Sequence, residues 1–216
     1  MVSLKSQDLR MFNVPQKKRA TPNPLKLWSR RRLFATYTVE KKIIEINTNW
    51  VKIVGEQVWD KKKGQFLDYW RIEKDNSLIV IPLFKNQFVL PDLVYRHAIN
   101  RSTYDFPGGR IPHGSDIQLE TIKILKREIG ISQDNIHDIK QLNSEGWPIN
   151  SAFSNQELFC TVATMSESIN VRELKNIELF PCSKKGIMGL RKKLLCLQCR
   201  AALLEWCFIN NVNSKF

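Results

Sequence analysis

The chain has 216 residues, 43% of them apolar, and a formal net charge of +13. That is enough for one ordinary domain with its own core, plus extensions. No run of about 18 or more apolar residues occurs, which predicts no membrane span. The N-terminus lacks the apolar segment of roughly 7–15 residues that marks a secretory signal, which predicts an intracellular, cytoplasmic protein; its basic, acid-poor start leaves an organelle transit peptide open.

Five cysteines, an odd number confined to the second half of the chain, do not form a disulfide framework and read as reduced thiols. The charge is uneven. Residues 1–36 hold Lys5, Arg10, Lys17, Lys18, Arg19, Lys26, Arg30, Arg31 and Arg32 against the single acid Asp8. Pro15, Pro22 and Pro24 interrupt this stretch, so it is predicted to be an extended or partly ordered arm. Leu25, Leu27, Trp28, Leu33 and Phe34 are expected to dock its end. Such an arm suits a nucleic acid or an acidic partner through counterion release, or serves only solubility.

From Thr38 the texture is that of short strands separated by turns. Lys42–Ile46, Trp50–Trp59 and Gln65–Glu73 are predicted strands, with Asp60-Lys61-Lys62-Lys63-Gly64 as the turn of a hairpin. The apolar run Ser77–Ile81 is predicted to end at Pro82, and Gln87–Leu90 follows a turn at Lys85-Asn86. Next comes Tyr95-Arg96, then Tyr104-Asp105-Phe106-Pro107-Gly108-Gly109-Arg110, where the glycines allow close backbone approach to a ligand.

A helix is predicted over about Asp116–Ile129, with Ser115 as N-cap, Leu119, Ile122, Leu125 and Ile129 facing the core, and Gly130 as the residue after its end. Beyond Gly146–Glu157 a strand is predicted at Leu158–Ala163, and the chain turns helical after about Pro181. One terminal helix, Leu190–Phe208, contains Cys196-Leu197-Gln198-Cys199. A tetrahedral zinc site needs four ligands, and no second Cys/His pair stands at suitable spacing, so these cysteines read as small apolar residues of a packed helix. His97, His113 and His137 form no cluster. The expected organisation is an arm (1–36), a body (37–180, with the hairpin 42–73) and a C-terminal helical segment (181–216).

The Tyr-Arg segment, the Gly-Gly turn and the helix closed by Gly130-Ile131 resemble the Nudix hydrolases of the ADP-ribose pyrophosphatase type over roughly residues 40–165. The resemblance implies an α+β, α/β/α Nudix sandwich with an N-terminal β-hairpin extension and a C-terminal helix. It also implies a homodimer in which the hairpin reaches over the partner, and an activity that uses Mg²⁺ to cleave a nucleoside-diphosphate compound. Where the family places its glutamates, this chain has Ser115, Ile124, Arg127 and Glu128, and Lys123 stands for the arginine. In the later loop Phe153 and Ser154 match, but Ala152, Asn155 and Gln156 replace a glycine, an acid and a glutamate.

By the resemblance, the Gly108 carbonyl and Glu128 are metal ligands. Glu128 and Glu120 are the candidate catalytic acids, with Asp116 a further candidate ligand. Arg96, Arg110, Arg127, Gly108, Gly109, Phe153 and Ser154 are candidate substrate contacts. Arg96 either meets a phosphate or ties down Asp105. Magnesium is bound through oxygen donors, and this set is poor in them, so the degenerate box leaves three accounts. One is a diphosphate binder with weak or absent hydrolysis, in which Arg127 takes the place of the metal. The second is a hydrolase with a rebuilt metal site, and the third is a scaffold that recruits RNA or a protein complex through its arm.

Overall fold

The strand Asn76–Phe84 (β4) organises the molecule, because its apolar run is buried on both faces. Ile79 and Ile81 enter one apolar cluster and Leu78 and Val80 the other, as the two-residue period of a strand requires. The structure is a computed structural model that describes residues 36–170, 174 and 176–212. All of the basic arm but Thr36 lies outside them, and with it the expected docking of Leu25, Leu27, Trp28, Leu33 and Phe34.

A three-stranded antiparallel sheet comes first: β1 (Tyr37–Asn47), β2 (Lys52–Asp60) and β3 (Gln65–Glu73), in that order. β1 starts at Tyr37, earlier than the predicted Lys42. The β2–β3 turn is held by Asp60, whose Oδ1 accepts from the amides of Lys62 (2.8 Å) and Lys63 (3.2 Å). Gly64 closes it at φ +62°, a conformation that suits glycine.

β4 runs on through Pro82, where an end was predicted. Its pairing with β5 (Gln87–Pro91) covers only Leu83↔Phe88 and Phe84↔Gln87, so the ladder stops short of the residue that lacks an N–H. On the other side Pro82 still lies opposite Ala163. Lys85 and Asn86, both at positive φ, form the tight turn between β4 and β5.

After β6 (Val94–Arg96), β7 (Arg101–Thr103) and β8 (Gly108–Ile111) comes helix α1 (Ile117–Ile129). β9 (Ile136–Gln141), β10 (Trp147–Pro148), β11 (Glu157–Met165) and β12 (Ile177–Pro181) follow; the sequence reading did not single out β9 or β12. The main sheet has the order β10-β11-β4-β5-β12, with β8 joined to β4 and β9 to β11. β11 runs parallel to β4, from Leu158↔Ser77 to Thr164↔Leu83.

α1 covers one face of this sheet. Its N-cap is Asp116, which accepts from the amides of Gln118 and Leu119, and not the predicted Ser115. Its buried stripe is Thr121, Ile124, Leu125 and Ile129. Leu119 is 54% exposed and Ile122 only half-buried, which corrects the expected face. The cause is Thr121: its hydroxyl donates to the Ile117 carbonyl and lies 3.0 Å from that of Thr161. Thus satisfied, a polar residue enters the core. Gly130 (φ +73°) ends the helix, and the Ile131 amide bonds the Leu125 carbonyl, the expected closing geometry.

The other face is covered by two helices where one was predicted: α2 (Lys184–Lys193) and α3 (Leu197–Ile209). Leu194–Cys196 is extended between them. Leu194 bridges to Tyr104, and the buried Thr103 hydroxyl accepts from the Leu195 amide at 3.1 Å. The break is thus held by the strand segment before the Gly-Gly turn. Leu190, Leu194, Leu203 and Trp206 complete the cluster of Ile79 and Ile81. No helix among the described residues is long and apolar enough to cross a membrane.

Candidate functional site

A cleft of about 380 Å³ opens where β4, β8, the end of α1 and the start of α3 meet, lined by Arg96, Asp105, Gly108, Gly109, Arg110 and Glu128 among others. The stripe rotation in α1 brings Glu128 to its wall, with Arg127 beside it but outside the lining. Because Ile124 faces the core at 1% exposure, Arg127 and Glu128 on the next turn stand by β8.

Arg127 is bound at two points. One guanidinium nitrogen donates to the Gly108 carbonyl and Nε donates to Glu128 Oε1, each at 2.8 Å. Gly109 makes room for this: a Cβ there would stand 2.9 Å from the same guanidinium. The two candidate metal ligands are therefore brought together, but on one cation. Glu120, the other candidate acid, does not line the cleft and accepts from Lys123 at 2.8 Å.

This donor set does not fit Mg²⁺, which takes oxygen ligands in near-ideal octahedral geometry. Ile124 offers none, Glu120 is engaged elsewhere, and a fixed positive charge sits at hydrogen-bond distance from both remaining oxygens, where it repels a divalent ion.

Arg96 donates through Nε (2.8 Å) and a terminal nitrogen to Oδ2 of Asp105, which is 7% exposed. The expected tie to Asp105 is made. The Arg96 side chain remains 51% exposed on the cleft side. Arg110 stacks on Trp50 at 4.2 Å and donates to the Trp50 carbonyl at 3.1 Å. It lies between the cleft and a second hollow of about 300 Å³ lined by Trp50, Lys52, Lys74 and Asn155.

Phe153 and Ser154 line neither hollow. Their loop docks on β3: the Ile72 amide donates to the Phe153 carbonyl at 2.7 Å, and Ser154 Oγ accepts from the Gln156 amide. Gln156 is 6% exposed and donates through Nε2 to the Asp75 carbonyl (2.9 Å) and Ser77 Oγ (2.8 Å). Asn155 Oδ1 accepts from the Lys74 amide. The replaced acids of this loop are thus structural amides that tie it to the β3–β4 junction.

The reading missed what the helix break does. It makes Cys196 the N-cap of α3 and sets Cys196 and Cys199 in the cleft wall beside Asp105. A hydrogen bond from Cys199, with backbone amides of the first turn, holds the Cys196 thiol down at about 6. The same bond and burial push Cys199 well up. Cys-x-x-Cys was the visible signal; its position at a helix start was not. Among the described residues the three histidines join no such group.

No family model matches the sequence, and no curated protein matches it. A solved structure described as an ADP compounds hydrolase is similar in shape: the TM-score is 0.63 over 84% of this chain and 97% of that chain, at 13% sequence identity. With helices on both faces of the mixed sheet, the chain has a Nudix-like α/β/α fold.

Proposed function

We propose that the chain binds a nucleoside-diphosphate compound of the ADP type in this cleft without needing Mg²⁺, and that its hydrolytic activity is weak or absent. The observation that carries the reading is the Arg127 guanidinium on both Gly108 O and Glu128. It holds a positive charge where the resemblance puts the metal. Guanidinium forks pair well with phosphate oxygens; Arg96 and Arg110 line the cleft, and Arg127, not itself a lining residue, is bonded to Gly108 and Glu128, which do line it. The hydrolase of similar fold acts on ADP compounds by its description, which supports that ligand class.

The test is the melting temperature of the full chain with ADP-ribose, with and without Mg²⁺, followed by an assay for AMP. A ligand of the folded state raises the melting temperature by mass action. The expected result is a rise that is the same without Mg²⁺, with no AMP formed. AMP release that requires Mg²⁺ overturns the reading in favour of a rebuilt metal site.

The homodimer belongs to the same proposal. β1 leaves Tyr37 and Val39 on one face of its sheet, and Ile44 and Ile46 on the other, between 39% and 49% exposed, apolar surface suited to a second copy. Light scattering of the purified chain tests it.

A further inference from the structure

We propose that Asp105, Cys196 and Cys199 form a Zn²⁺ site in the wall of the cleft, with one coordination position open to it. Asp105 comes from the turn before β8 and the cysteines from the start of α3. One ligand atom of each lies within 4.8 Å of the others. Around a tetrahedral zinc, with Zn–S of about 2.3 Å and Zn–O of about 2.0–2.2 Å, neighbouring donors stand roughly 3.4–3.8 Å apart. Small side-chain rotations close the difference, and Asp105 Oδ1 already lies 3.9 Å from Cys199 Sγ.

The carboxylate is aimed. Arg96 takes Oδ2 with two nitrogens, which leaves Oδ1 toward the sulfurs. A hydrogen-bonded partner of this kind orients a metal-ligating carboxylate. Charge also balances: the carboxylate and two thiolates carry three negative charges, and Zn²⁺ with Arg96 carries three positive ones. Binding releases to solvent the protons that the two thiols still carry, chiefly that of Cys199, with no change of oxidation state.

The donor set selects the ion. Thiolates suit zinc and not magnesium, so this site is chemically separate from the oxygen set at Gly108 and Glu128. All three residues line the cleft, so a water or an oxygen of a cleft ligand can complete the tetrahedron. Three protein ligands and an open position are the pattern of reactive rather than structural zinc sites. The site does not depend on diphosphate binding.

The experiment uses the full chain, reduced and stripped of metal, titrated with Co²⁺ and then Zn²⁺. One equivalent of Co²⁺ is expected to give a sulfur-to-cobalt charge-transfer band, which Zn²⁺ removes. Cys196→Ser should roughly halve the band per bound ion. Asp105→Asn should keep the band and weaken affinity at least about 10-fold, and Arg96→Gln should weaken it roughly 10- to 100-fold as loss of an outer partner. Cys207→Ser, which alters a buried cysteine outside this cluster, should change nothing. Cys199 is 2% exposed and its replacement risks the fold, so the half-buried Cys196, checked by thermal melting, carries the test. Absence of the band, or a band that Cys196→Ser leaves intact, overturns the site. So does a Cys196–Cys199 disulfide that persists under reductant and leaves no metal bound.

Discussion

Arg127→Glu is the sharpest perturbation of the cleft, because it puts a carboxylate where the resemblance expects one. Arg127 contributes two hydrogen bonds of 2.8 Å from a side chain that is 56% exposed. The bond to the Gly108 carbonyl is worth about 1 kcal/mol. The pair with Glu128, screened by solvent, is worth about 0.5–1 kcal/mol. Two neighbouring carboxylates then repel by up to about 1 kcal/mol in water. The variant should therefore lose about 1.5–3 kcal/mol without Mg²⁺. At roughly 2–4 °C per kcal/mol for a chain of this size, its melting temperature falls by about 3–12 °C. The Gly108 carbonyl, Glu128 and the new glutamate then form an oxygen set, and Mg²⁺ at about 100 times its dissociation constant should return about 2.7 kcal/mol. Calorimetry of both proteins with and without Mg²⁺ reads this directly. The parent should gain nothing from Mg²⁺. An equal gain in both proteins would refute the reasoning, since the oxygens would then be available despite Arg127.

Ile124→Glu should behave in the opposite way: at 1% exposure it buries an unpaired carboxylate at a cost of about 3–5 kcal/mol, seen as a lower urea midpoint that Mg²⁺ does not restore. Gln156→Glu keeps the shape but removes both Nε2 donations; it should cost about 2–4 kcal/mol at neutral pH and less in acid, where a protonated carboxyl can donate again. Thr103→Val leaves the Leu195 amide without its acceptor, so hydrogen exchange there should speed up and stability fall by about 1–3 kcal/mol. On the three-stranded sheet, the hydrogen bond from Arg71 holds the Glu73 carboxyl below its ordinary 4.5. A depressed folded-state value stabilises the fold above 4.5 and is lost as pH falls through the folded value, so Glu73→Gln should flatten the acid limb of a stability–pH curve.

Strands β1–β5 and β11 were legible because their periodicity is local, whereas β9 and β12 were not. The apolar run of β4 stands out through burial on both faces, and Gly64 and Gly130 mark a turn and a helix end by conformation alone. The face of α1 was misjudged because Thr121 is polar by type and core by partner, and that partner, Thr161, lies on another strand. The break between α2 and α3 has no sequence signal. Leu194, Leu195 and Cys196 are neither proline nor glycine, and what holds them extended is Thr103 and Tyr104, some ninety residues earlier. Asp105 joins the two cysteines for the same reason. Arg127 could be placed near the box by spacing, but its partners are a backbone carbonyl and its chain neighbour, which spacing does not reveal.

The replaced acids are not interchangeable losses. Ile124 fills a core position that a charge would empty. Gln156 makes two donations that a carboxylate cannot make. Arg127 donates to the carbonyl and the one carboxylate that the resemblance assigns to the metal. Each position now does work that depends on the absence of an acid there, so restoring any one of them singly should damage the fold before it rebuilds a metal site. Arg127 is the exception in degree: it is half exposed, and its cost is small enough for bound Mg²⁺ to offset. If catalysis can be recovered by a single change, the place is Arg127. If Arg127→Glu binds Mg²⁺ without releasing AMP, the missing oxygen at Ile124 sets the limit, and hydrolysis would require α1 to be repacked.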